Sequence, residues 1–184
     1  CALDMKEKGK LKDNVIVATV MSNLGFFIMG EENGVNIKRT KVGDRYVLEE
    51  MLKGGFSIGG EQSGHVILLD YNTTGDGLVT GIQLACILKE TGEKISKLAS
   101  VMQIYPQVLI NAKVKTENKS RYMEDVEISE EIKKIEDEFS GEGRVLIRPS
   151  GTEPLVRVMI EGKDKALIKE RAESLAKLIE TKLG

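Results

Sequence analysis

The feature that most constrains the fold is a short, almost continuous apolar run, Asn14-Val-Ile-Val-Ala-Thr-Val20. Uninterrupted apolar runs of this length are typical of strands covered on both faces, as in the parallel sheets of α/β proteins. A helix signal that ends at Gly9 precedes the run, and further strand signals follow at residues 34–39, 56–58 and 65–70. The run therefore predicts a buried strand in an α/β sheet with helices on both faces.

Helix signals lie between and after these strands. Asp44 is expected to cap a helix that ends at Gly54-Gly55, and Asp76 a second helix that runs to about Glu90. A third helix is expected over about residues 93–102. The face that the second helix is expected to bury consists of Leu78, Ile82, Ala85, Cys86 and Leu88.

The pattern changes near Pro106. A strand is predicted over residues 107–114, then a polar and mostly irregular stretch over 115–127, and then a helix capped by Ser129. Strands at 143–147 and 155–160 follow, and a last helix over about 163–183. One stripe of that helix carries its apolar residues, which are Ile168, Ala172, Leu175 and Ile179. We therefore predict two domains, an α/β domain over residues 1–104 and a small α+β domain over 105–184.

Charge and length limit the function classes. The 184 residues carry 27 Lys+Arg against 29 Asp+Glu, with no long basic run, which argues against a dedicated nucleic-acid binder. No apolar stretch reaches the ~20 residues that span a bilayer, so no membrane partner is expected. Cys86 lies in an apolar helical pattern and is expected to be a buried free thiol in a reducing compartment, the cytoplasm. Because the chain has no initiator Met and begins in a helix signal, we expect it to be part of a longer polypeptide, although a natural start remains open.

The strongest chemical signal is Arg148-Pro-Ser-Gly-Thr-Glu-Pro154, between two predicted strands. Ser150, Gly151 and Thr152 offer consecutive N–H groups and two hydroxyls, and Arg148 adds a guanidinium. Donors that converge in this way bind phosphate, and flanking prolines reduce the entropy lost on binding. On residue types alone an ordinary turn is equally compatible, because Pro, Ser, Gly and Thr are all turn formers.

The second signal is Gly59-Gly-Glu-Gln-Ser-Gly-His65. Glu61 can accept hydrogen bonds from neighbouring sugar hydroxyls, Ser63 can donate or accept, and the glycines allow close approach. His65, the only histidine, can exchange a proton near neutral pH or bind a phosphate-bearing sugar. The alternative is a polar hairpin with a structural histidine.

Other motifs fail. The stretch from Asp70 resembles the first half of a calcium-binding EF-hand loop, but the twelfth position is Gly81 rather than the bidentate glutamate. No phosphate-binding loop of the nucleotide-binding type is present, and no acidic cluster has metal-ligand spacing. We therefore expect no metal ligands in this chain.

Taken together, the Glu61-Gln-Ser-Gly-His65 and Arg148-Pro-Ser-Gly-Thr-Glu-Pro154 motifs resemble those of the α-D-phosphohexomutase superfamily. Thr19-Val-Met-Ser-Asn-Leu-Gly25 and Thr40-Lys-Val-Gly-Asp-Arg-Tyr-Val47 add to the match, which is strongest for the bacterial branch that acts on glucosamine phosphates. The resemblance covers the whole chain. It implies the third and fourth of the four domains that surround the family's central cleft.

The resemblance also implies an activity. Members of this branch interconvert glucosamine 6-phosphate and glucosamine 1-phosphate through a phosphoserine enzyme and a bisphosphate intermediate, in the synthesis of cell-wall amino sugars. By resemblance, Glu61 and Ser63 would hold sugar hydroxyls, and His65 would lie at the sugar or near the transferring phosphate as the catalytic candidate. Residues of the second motif, namely Arg148, Ser150, Gly151 and Thr152, would hold the phosphate that is not being transferred.

Two family motifs are absent. The serine loop of the Thr-Ala-Ser-His-Asn-Pro kind and the metal loop of the Asp-Gly-Asp-x-Asp-Arg kind do not occur. We therefore expect Mg²⁺ in the full-length enzyme but not on this part, whose partners would be a phosphosugar and the N-terminal domains. We also expect this part alone to be inactive. The alternatives are the phosphomannomutase or phosphoglucomutase branch, and a free-standing, non-catalytic phosphosugar-binding module.

Overall fold

A computed structural model describes residues 1–184, which form two compact units, Cys1–Ile104 and Tyr105–Gly184. The elements of the first unit are α1 (Ala2–Glu7), β1 (Val15–Thr19), α2 (Leu24–Glu32), β2 (Asn36–Thr40), α3 (Asp44–Gly54), β3 (Ile58–Gly60), β4 (Val66–Leu68), α4 (Gly77–Thr91) and α5 (Ile95–Ala99). Those of the second are β5 (Gln107–Lys113), α6 (Val126–Phe139), β6 (Gly143–Pro149), β7 (Leu155–Gly162) and α7 (Lys165–Leu183). Short 3₁₀ turns occupy Lys12–Asn14, Thr116–Asn118 and Arg121–Met123.

The first unit is built on a four-stranded sheet in the order β2-β1-β3-β4. Strand β1 is parallel to β2 and β3, every residue of β1 is buried, and β4 runs antiparallel to β3. Val15 and Val17 pack with Val47 and Met51 of α3 on one face. On the other face, Ile16 belongs to a cluster that includes residues of α1, α2 and α4. The prediction of an α/β sheet with helices on both faces is confirmed.

The second unit is a three-stranded antiparallel sheet in the order β5-β7-β6. Alternate residues of the central strand, Val156, Val158 and Ile160, share one core cluster with residues of both α6 and α7, so both helices cover the same face. The four residues of the predicted α7 stripe are all fully buried. The small α+β unit predicted from the sequence is confirmed.

The buried face of α4 was predicted wrongly. Leu78 is 75% exposed and Ile82 is 54% exposed, while Ala85 and Cys86 are also exposed and Leu88 is only half-buried. The helix instead turns Ile87 inward, with Val79 in the adjoining cluster. Residues 77–88 contain no charged side chain, so hydropathy provides no polar face from which to orient the helix.

Several local boundaries also differ from the predictions. Gly43, not Asp44, is the N-cap of α3, and the Asp44 carboxylate accepts the N–H of Arg45 instead. Helix α6 begins a turn before Ser129, because the Asp125 carboxylate accepts the N–H of Ile128. The helix expected over residues 93–102 is limited to Ile95–Ala99.

Helix α2 was not predicted. It is apolar on most of its surface, so it shows no hydrophobic stripe, and its clearest local signal is the N-cap Asn23, which accepts the N–H of Gly25.

Candidate functional site

The loop at residues 61–65, here called the Glu61 loop, connects β3 to β4. Two main-chain hydrogen bonds close it, from Glu61 N–H to the His65 carbonyl at 2.9 Å and from Gly64 N–H to the Glu61 carbonyl at 3.1 Å. Gly64 has a φ of 101°, a conformation in which a side chain would be strained. The loop is therefore a defined tight turn, and Gly64 is required for its shape.

Glu61 holds two loops together. One carboxylate oxygen accepts the Gly43 N–H at 2.9 Å, which links the loop after β2 to the loop after β3. The other oxygen is 3.9 Å from His65 Nδ1, and the Glu61 side chain is only 11% exposed. The contact with Gly43 was not predicted, because no local pattern signals a contact between residues 18 positions apart.

Ser63 and His65 form the exposed side of the same loop. Ser63 Oγ lies 3.2 Å from His65 Nδ1, and the His65 side chain is 57% exposed. The structure thus brings the Glu61 and Ser63 side chains, both predicted at this loop, to the same ring nitrogen of His65. An acceptor, a hydroxyl and an imidazole at one exposed turn can make hydrogen bonds to a polyhydroxylated ligand.

The strand topology explains the position of this loop. Strands β1 and β3 are neighbours, and the helices that follow β1 and β2 pack on opposite faces of the sheet. In open α/β sheets, ligands bind outside the carboxyl ends of the strands at such a switch point. The Glu61 loop directly follows the carboxyl end of β3 and, through Gly43, contacts the loop after β2.

The loop at residues 150–154, here called the Ser150 loop, connects β6 to β7. Ser150 is buried, its N–H donates to the Leu155 carbonyl at 2.9 Å, and its Oγ accepts the Glu153 N–H at 3.2 Å. Three consecutive free N–H groups were expected, but the N–H of Ser150 is already engaged. Gly151 and Thr152 are exposed and their N–H groups have no partner within the chain.

Cationic side chains flank the Ser150 loop. Arg148, the last residue but one of β6, lies opposite Arg157 of β7. Arg148 is half-buried, and its guanidinium makes no ion pair or hydrogen bond within the chain. Arg157 lies 3.5 Å from the Glu153 carboxylate. Lys119, which no sequence motif indicated, donates to the carbonyls of Ser150 at 2.8 Å and Glu153 at 3.3 Å. Free main-chain N–H groups and an unpaired guanidinium are the donor types that bind an anion.

Clusters of metal-ligating side chains are absent. No group of three or more His, Cys, Asp or Glu side chains is placed to hold a metal ion.

The helices also bear on membrane insertion, since a spanning helix needs about 20 mostly apolar residues. No helix of this chain combines the length and the apolar character that spanning a bilayer requires.

Two sequence models of one family cover almost the entire chain. The α/β/α domain III of phosphoglucomutase/phosphomannomutase matches residues 1–105, and the C-terminal domain of the same family matches residues 109–178. The chain belongs to the phosphoglucomutase/phosphomannomutase family. The predicted correspondence to the third and fourth domains of the phosphohexomutases is confirmed.

Two bacterial relatives of this family member are named phosphoglucosamine mutases. The protein from Caldanaerobacter subterraneus subsp. tengcongensis is 65% identical over 184 residues, and that from Thermoanaerobacter sp. is 66% identical over the same length. Each match covers 100% of this chain and 41% of the relative. The chain therefore spans about two fifths of the length of these curated relatives.

Solved structures agree in fold. An Aspergillus fumigatus N-acetylphosphoglucosamine mutase variant in complex with glucose 1,6-bisphosphate has a TM-score of 0.76 at 17% identity, over 98% of this chain and 41% of that one. A phosphoglucomutase/phosphomannomutase family protein from Burkholderia thailandensis has a TM-score of 0.66 at 20% identity, over 98% of this chain and 40% of that one. At these identities the likeness establishes the fold alone.

Proposed function

We propose that this chain is the sugar- and phosphate-binding part of a phosphoglucosamine mutase, which interconverts glucosamine 6-phosphate and glucosamine 1-phosphate. The relatives that are 65% and 66% identical over the whole chain carry that name. The observation on which the proposal depends most is the pair of free N–H groups at Gly151 and Thr152, in a loop that follows the unpaired Arg148 near the end of β6.

The proposed roles follow from the contacts of each side chain. Gly151 and Thr152 would bind phosphate through their N–H groups, and Arg148 through its guanidinium. Ser150, whose N–H and Oγ are engaged inside the loop, would maintain the loop conformation rather than supply its own N–H. A phosphate that is held but not transferred needs fixed donors, because positioning is a large part of what a protein contributes to phosphoryl transfer.

The Glu61 loop would bind the sugar. Glu61 has one carboxylate oxygen engaged by Gly43, so its second oxygen would accept from a sugar hydroxyl. Ser63 and the exposed His65 would add two further hydrogen-bonding groups, and His65 is the proposed catalytic residue. A hexose phosphate carries both chemistries that the two loops offer, vicinal hydroxyls and a dianionic phosphate.

The proposed reaction needs groups that this chain lacks. Transfer of a phosphoryl group from a phosphoserine to the substrate would give a bisphosphate, and return of the other phosphate would regenerate the phosphoserine. The sequence contains no serine loop or metal loop of the family type. We therefore assign the nucleophile and any Mg²⁺ to parts of the polypeptide outside these residues, and the 184-residue chain alone would not convert substrate.

The exposed apolar face of α4 indicates that another part of the same polypeptide packs against it. Leu78, Ile82 and Cys86 follow one another at helical spacing on its exposed side, in a segment without charge. The relatives contain more than half of their length outside the matched part. We propose that this remaining part, the N-terminal domains, covers α4.

Two free, exposed cysteines are typical of a reducing compartment, which supports a cytoplasmic location.

A binding titration tests the proposal. Glucosamine 6-phosphate added to the 184-residue chain should perturb the amide NMR signals of Gly151 and Thr152 in a saturable way, and Arg148→Ala should weaken the response. The phosphomannomutase or phosphoglucomutase alternative is tested by joining this chain to the rest of the Caldanaerobacter relative. A higher kcat/KM on mannose or glucose phosphates than on glucosamine phosphates would favour that alternative.

A further inference from the structure

Lys119 holds the Ser150 loop from a distant part of the second unit. It lies 31 residues before Ser150, at the end of the 3₁₀ turn Thr116–Asn118, and its ammonium donates to the Ser150 carbonyl at 2.8 Å. A second bond of 3.3 Å reaches the Glu153 carbonyl. One side chain therefore fixes both ends of the segment that carries the free N–H groups.

The bond to the Ser150 carbonyl also determines the direction of a free N–H. The Ser150 carbonyl and the Gly151 N–H belong to the same peptide unit, and the chain contains no cis peptide bond. In a planar trans peptide the C=O and N–H point in opposite directions. Because Lys119 binds the carbonyl, the Gly151 N–H is directed away from the ammonium. A cation on the carbonyl also polarises the peptide and strengthens its N–H as a donor.

Lys119 is in turn held in place by the segment around it. The Lys115 N–H and the Asn118 side-chain amide both donate to the Leu183 carbonyl at the end of α7, at 3.0 and 3.2 Å. On the other side, the Tyr122 hydroxyl donates to the Ile147 carbonyl of β6 at 3.3 Å. Burial raises the pKa of Tyr122, so this hydroxyl remains protonated and able to donate. The segment is thus fixed to both a helix and a strand.

We propose that Lys119 is a positioning residue for phosphate binding. By binding the Ser150 carbonyl, it orients the Gly151 N–H of the same peptide, and that N–H contacts the anion. This inference rests on the proposed function of the Ser150 loop as a phosphate site. Lys119 acts through the peptide and does not itself contact the phosphate.

The test is a titration of the 184-residue chain with inorganic phosphate, followed on the amide signals of Gly151 and Thr152. Lys119→Met should lower the phosphate affinity about tenfold, the range expected for loss of a charge-assisted contact. It should also shift the Gly151 amide signal before any phosphate is added, because the peptide loses its polarising cation. Lys119→Arg, which retains a charged donor, should restore affinity to within about threefold of the original chain.

Lys115→Met is the matched control. Lys115 lies in the same segment, its side chain is exposed, and its only hydrogen bonds are made by main-chain atoms, so this variant removes the same charge without touching the loop. It should bind phosphate like the original chain.

Two results would overturn the inference in distinguishable ways. If the original chain shows no response of Gly151 or Thr152 to phosphate, the phosphate site itself is refuted and the role of Lys119 with it. If the original chain responds but Lys119→Met binds equally well, or if Lys115→Met loses as much affinity, only the positioning role is refuted.

Discussion

The hydrogen bond between Glu61 and Gly43 makes a quantitative prediction about the first unit. The carboxylate oxygen is 2.9 Å from the Gly43 N–H, and the Glu61 side chain is 11% exposed. Hydrogen bonds to charged groups contribute about 1.5–3 kcal/mol, and neutral ones about 0.5–1.5 kcal/mol. Glu61→Gln keeps an acceptor but loses the charge, so it should cost about 1 kcal/mol of unfolding free energy.

Glu61→Ala removes the acceptor entirely. Because Gly43 is only half-buried, water can reach its N–H, and the expected cost is about 1.5–2 kcal/mol rather than the upper end of the range. For a domain of this size, each kcal/mol lowers Tm by roughly 4–8 °C. Glu61→Ala should therefore lower the Tm of the first unit by about 6 °C or more.

The assay is urea denaturation followed on the amide signals of residues 1–104, so that the second unit does not contribute. Glu32→Gln provides the control, because Glu32 is exposed and its side chain makes no hydrogen bond or ion pair. It should change the unfolding free energy by no more than about 0.5 kcal/mol. A stability of Glu61→Ala equal to that of Glu32→Gln, or a Glu61→Gln variant less stable than Glu61→Ala, would show that the hydrogen bond to Gly43 does not stabilise the first unit.

Four further predictions concern single residues. Arg148→Ala should weaken phosphate binding by about 10- to 150-fold, the equivalent of about 1.5–3 kcal/mol for a charged contact, while Tm stays unchanged; unaltered affinity in calorimetry would contradict the role of Arg148. The pKa of Asp76 is lowered, chiefly because its carboxylate accepts the Val79 N–H. The carboxylate should therefore stabilise α4 above the usual pKa of 3.8, and this stabilisation should be lost as pH falls through the lower folded pKa. Asp76→Asn should abolish that acid dependence in denaturation curves. With Cys1→Ser, Cys86 should react readily with a thiol reagent in this chain and be protected once the rest of the Caldanaerobacter relative is joined to it; equal reactivity in both would exclude α4 as the covered face. Leu175→Ala should cost about 2–5 kcal/mol of unfolding free energy in the second unit, since Leu175 is fully buried; a loss below 1 kcal/mol would contradict the described core.

The sequence predicted those elements whose polar and apolar residues are segregated. The stripe of α7 could be identified because Ile168, Leu175 and Ile179 alternate with charged residues that fix which face is buried. The buried face of α4 could not be identified in this way, because residues 77–88 contain no charged side chain and an apolar stripe can be drawn on either side of the helix. Its exposed apolar face is a property of tertiary packing, which periodicity does not report.

The site was predictable in its residue types and not in their contacts. The three side chains predicted at the Glu61 loop do lie together, because they are close in the sequence and a tight turn brings them together. The contacts of Glu61 with Gly43 and of Lys119 with Ser150 join residues 18 and 31 positions apart, and nothing local signals them. Ser150 was expected to donate its N–H to a ligand, but that N–H is needed within the turn, which illustrates how a loop uses some of its own donors.

Binding of a phosphosugar by the two loops is tested by an NMR titration of the 184-residue chain with glucosamine 6-phosphate, and separately with inorganic phosphate. We expect the sugar phosphate to perturb the amides of Gly151 and Thr152 and those of Ser63 to His65, with weak affinity, on the order of 1 mM, that NMR can measure. Inorganic phosphate should perturb only Gly151 and Thr152. If neither loop responds to glucosamine 6-phosphate while the chain remains folded, the assignment of both loops to a phosphosugar is contradicted.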